Sequence, residues 1–300
     1  MTFTVFTGAV EQGFIYALVA LALYISFRTL DIADLTTDGA FPFGAAASAI
    51  FTTMGHPWLG IVMGILCGVL AGFITALLQT KLKVTPILAG IITMTGLYSI
   101  NIMVMGNKSN LPLLKSTTVF TAFERVFGVW GKMVLVVLVT VLVSAGLVFF
   151  LRTQLGLSLR ATGDNREMVS ASSINPAFTT TVGLCIANGL TALAGALVAQ
   201  YSKFSDVSLG TGMVVIGLAS LIIGEVIVGR GGVVRCVIGA VLGAIIYRVI
   251  IAFALSSSVG ANNLKLVSAF IVAAAISYPA IKEKVQFIHR RRAGERDAEN

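Results

Sequence analysis

The sequence predicts an all-α, polytopic integral membrane protein of about nine transmembrane helices, two of them short and broken. Three observations carry that expectation. Of 300 residues, 57% are hydrophobic and only 11% charged, against roughly 25% charged residues in soluble domains. The mean hydropathy is +0.94. The apolar residues also fall into runs close to the ~20 that an α-helix needs to cross a bilayer at ~1.5 Å rise per residue. Residues 1–281 then form one transmembrane domain and 282–300 a basic tail, with no room for a sizeable soluble domain.

The formal charge of +8 could suggest nucleic acid. In a membrane protein it reads instead as Lys and Arg held on the cytoplasmic side, so lipid rather than nucleic acid is the expected surroundings. Cys67, Cys185 and Cys236 sit apart inside apolar runs, and the histidines are His56 and His289. That pattern favours small buried hydrophobes over a disulfide framework or a metal site. Met1–Thr4 carries no side-chain charge, unlike the n-region of a signal peptide, so the first apolar run is expected to stay in the mature chain.

In order, the expected segments are Val5–Phe27, Gly39–Met54, Trp58–Thr80, Val84–Met105, Val129–Leu151, Ala177–Gln200, Thr211–Gly229, Val233–Leu255 and Leu264–Ile281. With nine spans, Lys81 and Lys83, then Arg152, Arg160 and Arg166, then Arg230 and Arg235, and finally Lys282, Lys284 and Arg290–Arg292 all fall on one side. The positive-inside rule makes that side cytoplasmic, in a bacterial inner membrane, with the N-terminus outside and the C-terminus inside. Lys108, Lys115 and Arg125, in the longest external loop, are exceptions.

Two segments stand out. Gly39–Met54 is short, contains Phe41-Pro42-Phe43-Gly44, and follows a run broken by Asp31, Asp34 and Asp38. Thr211–Gly229 is short and glycine-punctuated, and follows Lys203-Phe204-Ser205-Asp206-Val207. Each comes after an Ala-Leu-Val-Ala run, and the two copies would cross the membrane in opposite directions. That is the pattern of an inverted repeat, in which matching broken segments point to a transport pathway. Gly64, Gly68 and Gly72, like Gly239 and Gly243, recur every four residues and permit close helix packing.

One polar, basic interruption lies between spans, within the loop 152–176. Asp164 could cap a short helix, with Glu167 completing a capping box. The helix would run from Asn165 to about Ser173, after a turn at Gly163, with Arg160 and Arg166 flanking it. A basic cytoplasmic loop can equally fold into a surface helix for topology alone. The run Leu159-Arg160-Ala161-Thr162-Gly163-Asp164-Asn165, followed by Met168, Ala171 and Ile174-Asn175, resembles the cytoplasmic loop motif of ATP-binding-cassette (ABC) importer permeases of the branched-chain amino acid and ribose type. Leu30–Ala46 and Gly217–Gly232 resemble further regions of that family in the right order. The wording DIADLTTDGAFPFGAA resembles a subgroup that works with a substrate-binding lipoprotein and carries amino acids, aromatic ones included. The extra N-terminal span of many sugar-type members is absent.

The resemblance implies a coupling helix docking on a separate ATPase subunit, through Leu159, Arg160, Ala161, Gly163, Asp164, Asn165, Arg166, Glu167 and Met168. It also implies a homodimer with one pathway and an extracytoplasmic binding protein meeting the loops Gly106–Gly128 and Tyr201–Gly210. The chain's own residues agree on one point: no G-x-x-x-x-G-K-[ST] run is present to hold nucleotide phosphates, so ATP would be bound by a partner and the chain needs no cofactor. The alternative left open by the residues is an ion-coupled secondary transporter. An intramembrane enzyme has no support in a nucleophile–base set or an H-E-x-x-H run.

The pathway residues expected are Asp31, Asp34, Asp38, Pro42, Phe43 and Asp206, on half-helix ends whose backbone groups could meet a polar solute. The aspartates could instead cap helix termini, the favoured reading for Asp38. Glu11 and Arg248 lie about 9 and 10 Å below the outer ends of their spans, a depth at which they could pair; Arg248 could equally snorkel to the interface. Asn101, Asn188 and Gln200 are expected to bond between helices.

Overall fold

The computed structural model describes residues 3–229 and 231–256, with 269, 270, 273 and 277 beyond them. Helix α1 (Phe3–Leu23) widens at its end into a π-helical stretch, Tyr24–Thr29. Residues 30–36 are largely non-helical, and α2 (Thr37–Thr53) follows. Helices α3 (Pro57–Thr80) and α4 (Pro86–Val104) each start on a proline, where the missing N–H has no helical partner to lose. The long connection after α4 holds strand β1 (Asn110–Pro112) and helix α5 (Val119–Phe127), and leads through a 3₁₀ turn into α6 (Gly131–Arg152).

Two short helices, α7 (Gln154–Asp164) and α8 (Arg166–Ala171), precede α9 (Pro176–Ser202). Strand β2 (Phe204–Asp206) and a 3₁₀ turn, Val207–Gly210, lead to α10 (Met213–Val228), and α11 (Val233–Ser256) ends the described bundle. The antiparallel β1–β2 pair, with Leu111 opposite Ser205, is the one departure from an all-α chain among the described residues.

Among those residues, seven helical stretches are long and apolar enough to cross a membrane, where about nine were expected. The difference has two sources. The segment expected at Gly39–Met54 is a helix of only 17 residues, and Leu264–Ile281 lies largely outside the described residues, as does the tail 282–300.

The interior is built around α1, α2 and α9, which are mostly buried, while α4 and α6 show most of their apolar surface. Glycine allows the central contact. A Cβ on Gly195 would overlap the Phe41 carbonyl oxygen, and one on Gly44 would overlap that of Ala192. The Gly64–Gly68–Gly72 stripe of α3 packs against Ala196, Asn188 and Leu184 of α9 in the same way. Without a hydrophobic drive in lipid, such close backbone approach is what holds helices together.

Helices α1 and α9 run antiparallel. The Tyr201 hydroxyl, at the end of α9, donates to Glu11 Oε2 near the start of α1 at 2.8 Å. At the other end, Arg28 Nε meets Glu225 Oε1 of α10 at 2.9 Å. Each of α1, with its π-helical extension, and α9 covers 27 residues. Each is followed by a break and then by a short helix, α2 of 17 residues and α10 of 16. The two halves share this order of elements, and their long helices run in opposite directions.

Candidate functional site: the meeting point of two broken spans

The break after α1 is closed by side chains. Asp34 Oδ1 accepts from the Thr36 amide at 2.9 Å, and Asp34 Oδ2 accepts from Asn188 Nδ2 of α9 at 2.7 Å. The Thr36 and Thr75 hydroxyls lie 2.8 Å apart, and Thr75 donates to Thr93 at 2.9 Å, linking the break to α3 and α4. All five side chains are buried. A carboxylate in such a place is expensive unless its oxygens are occupied, and here both are. Asp34 therefore pins the break to α9.

Asp38 works outward from the first turn of α2. Its Oδ2 accepts from the Gly212 amide at 3.0 Å and its Oδ1 from the Val214 amide at 2.9 Å. These are unpaired donors at the start of α10, where partial positive charge favours a carboxylate. Gly212 has φ +83°, a geometry glycine adopts without strain. Pro42, four residues on, has no N–H for the Asp38 carbonyl. Gly210 packs there instead, where a Cβ would overlap that carbonyl oxygen. The N-terminal ends of both short helices thus meet at one carboxylate.

Beside this junction lies a cavity of about 360 Å³, lined by Asp38, Pro42, Tyr98, Asn101, Ser208 and Thr211 among others. Of the expected pathway residues it gathers Asp38 and Pro42, and it does not gather the rest. Asp31 is exposed with φ +55°. Asp34 is buried in its own network. Phe43 packs with Ala40, Ala71 and Leu97. Asp206 caps the 3₁₀ turn, its Oδ1 accepting from the Ser208 amide at 2.7 Å and from the Ser208 hydroxyl.

Glu11 and Arg248 are not within ion-pair distance. Glu11 takes its bond from Tyr201, and the Arg248 guanidinium stacks 3.9 Å from the centre of the Tyr16 ring. Equal depth placed them at one level, but each side chain turns to an aromatic neighbour, a cation–π contact in the case of Arg248. Gln200 and Asn101 bond between helices: Gln200 accepts from the Val119 amide and donates to Ser48 Oγ and the Pro57 carbonyl, and Asn101 of α4 donates to the Gly39 carbonyl of α2, while Asn188 reaches the non-helical break at Asp34.

The polar loop departs from the expected capping box. Helix α7 runs through Asp164, and the cap of α8 is Asn165, whose Oδ1 accepts from the Met168 amide at 3.0 Å. Extended geometry at Asn165 (φ −158°, ψ 103°) places that side chain over the new helix, so Asp164 and Glu167 form no box. Gly163 makes no turn either. It lies within α7 against the Thr29 carbonyl, which a Cβ would overlap.

The loop is clamped from beneath. Leu159 and Val169 are buried, Leu159 reaches Gly183 of α9, and the Thr162 and Thr179 hydroxyls are 2.8 Å apart. Asp164, Asn165, Arg166, Glu167 and Met168 form an exposed strip, with Ala161 half-buried behind it. Arg160 and Asp164 share a cavity with Tyr24, Arg28 and Cys236, so the loop faces the end of α1 and the start of α11 across it. Sequence reasoning missed Arg28–Glu225, the amides of Gly212 and Val214, and the Asp34–Asn188 bond. Only Gly212, within the run Gly210-Thr211-Gly212, signalled an unusual backbone.

Apolar helices with interrupted spans that meet inside the bundle define a multi-pass membrane transport protein. Comparison with known proteins takes that class to a family. Residues 5–276 match the family described as branched-chain amino acid transport system / permease component, and the chain belongs to it. It is 37% identical to the "Tyrosine transport system permease protein" of Clostridioides difficile (strain R20291) over 89% of this chain and 88% of that one. It is 29% identical to "Uncharacterized protein RP368" of Rickettsia prowazekii (strain Madrid E) over 90% of this chain and 95% of that one. No solved structure matches the chain.

Proposed function

We propose that this permease is the membrane-spanning subunit of an ABC importer for an amino acid. The observation that carries the reading is the full-length similarity to a permease named for tyrosine transport. The clamped loop supports it: buried Leu159 and Val169 fix α7 and α8 to the bundle while Asp164–Met168 face outward. A rigid base with an exposed strip can receive a push and pass it to α1, α9 and α11. Residues 152–176 thus serve as the coupling loop, and a separate ATPase binds and hydrolyses the ATP.

In this reading two copies of the chain form a homodimer in a bacterial cytoplasmic membrane, with the loop end cytoplasmic and the N-terminus outside. A substrate-binding protein or lipoprotein delivers cargo to the opposite end, where β1, α5 and β2 lie. The broken spans at Asp38 line the pathway. Arg166→Glu with Met168→Asp tests the coupling loop, because both side chains are exposed. The pair should abolish co-purification of the ATPase and ATP-driven uptake while the permease stays folded and monodisperse. Normal complex recovery, or uptake by the permease alone on an ion gradient, would overturn the reading.

A further inference from the structure

The cavity at the junction of the broken spans carries one feature that the packing leaves unused. Asn101 of α4 is fully buried and lines the cavity. Its Nδ2 donates a long bond, 3.5 Å, to the Gly39 carbonyl, while its Oδ1 accepts from no group among the described residues. Buried polar atoms are rarely left in that state, and a buried acceptor without a donor costs free energy that a ligand's N–H recovers. Asp38, adjacent to Gly39, lines the same cavity; of the about four acceptor sites on its carboxylate, the amides of Gly212, Met213 and Val214 take three and leave one.

The sign of the ligand's buried group follows from what already fills the site. A helix N-terminus would ordinarily favour a solute carboxylate. Here the start of α10 is already occupied by Asp38, so a second carboxylate would sit beside the first. Two acceptors, one of them charged, call for a cationic donor. The remaining lining offers apolar and aromatic surface from Met94, Tyr98 and Val207 to the rest of a small molecule, with the hydroxyl residues Thr95, Ser208 and Thr211 beside it. A volume of about 360 Å³ falls in the range of small-ligand pockets.

We propose that this cavity binds the ammonium group of an amino-acid-sized solute, with Asp38 and Asn101 Oδ1 as acceptors and the solute carboxylate facing away from Asp38. The site deepens the reading of the chain as an amino-acid permease and rests on it for the identity of the natural ligand. The recognition chemistry can be tested separately from transport.

The test uses Thr95→Cys as a reporter in full-length permease carrying Cys67→Ala, Cys185→Ala and Cys236→Ala. Its alkylation rate is followed with phenylalanine, phenethylamine or 3-phenylpropionate. Phenylalanine and phenethylamine should slow alkylation and 3-phenylpropionate should not. Asn101→Leu should weaken the protection by phenethylamine roughly tenfold, the expected loss of one hydrogen bond to a charged group. Protection by 3-phenylpropionate equal to that by phenethylamine, or no protection by either amine, would overturn the proposal, and so would an unchanged phenethylamine affinity in folded Asn101→Leu. If that variant does not fold, the amine-against-carboxylate comparison in the reporter protein decides alone. Amine-selective protection without amino-acid uptake by the assembled transporter would place the failure in the transport reading and leave the site standing.

Discussion

In the first broken span, residues 24–53, the interrupted backbone is closed from within the bundle by Asp34, which holds the Thr36 amide and the Asn188 side chain. In the second, residues 203–228, the interruption lies beside the β1–β2 pair, and the amides that start α10 are held by Asp38 of the first span. Non-helical backbone at membrane depth persists only where its polar groups find partners. The first break carries its own partner; the second borrows one. Both breaks lean on the other half of the chain, the first through Asn188 of α9 and the second through Asp38, but only the second takes its helix-start carboxylate from there, so displacing α2 releases the start of α10.

The largest effect that would break this comparison is expected for Gly195→Val, which places side-chain atoms where the Phe41 carbonyl lies. Overpacking costs about 1–3 kcal/mol and at times more, so the variant should lose its thermal unfolding transition in detergent or show it well below wild type. A wild-type Tm would mean that α2 is not anchored on α9. Asp34→Ala comes next. It strands the Thr36 amide and one of the two Asn188 Nδ2 hydrogens, both buried, the other still donating to the Leu184 carbonyl, at about 1–3 kcal/mol each, and should lower Tm clearly.

Asp38→Ala removes a helix cap, a change worth about 0.5–2 kcal/mol, and should lower Tm less than Asp34→Ala does. Hydrogen exchange, read by mass spectrometry, should rise at the start of α10 and not at α2. Equal loosening of both short helices would show that the dependence is mutual. Asp206→Ala should be the mildest, since it frees only the short turn 207–210, with a Tm within a degree or two of wild type on the basis that surface changes stay within ~0.5 kcal/mol. If it matches Asp34→Ala, the second break is as self-contained as the first and the contrast fails.

Much of this organisation was legible in the residues. Asp31, Asp34 and Asp38 marked the first break, and Lys203 and Asp206 ahead of a short glycine-punctuated segment the second, because charge and glycine are conspicuous in apolar runs. The ends of the polar loop were set by its composition. The geometry inside these features was harder to read. Asp164 and Asn165 are both good caps, and only the extended backbone at Asn165 chose between them. The partners of Asp38 are backbone amides far along the chain, which no side-chain pattern announces. Glu11 and Arg248 shared a depth, but depth says nothing about which face of a helix a side chain takes. The Tyr201 and Tyr16 rings decided that.

The central claim, that the two broken spans meet at Asp38 to form the pathway while residues 152–176 receive the ATPase, is tested most directly by ATP-driven uptake in proteoliposomes with Asp38→Asn. The account predicts that the variant assembles with its ATPase and still hydrolyses ATP, and that amino-acid uptake falls to background. Uptake at the wild-type rate by an intact Asp38→Asn complex would contradict it.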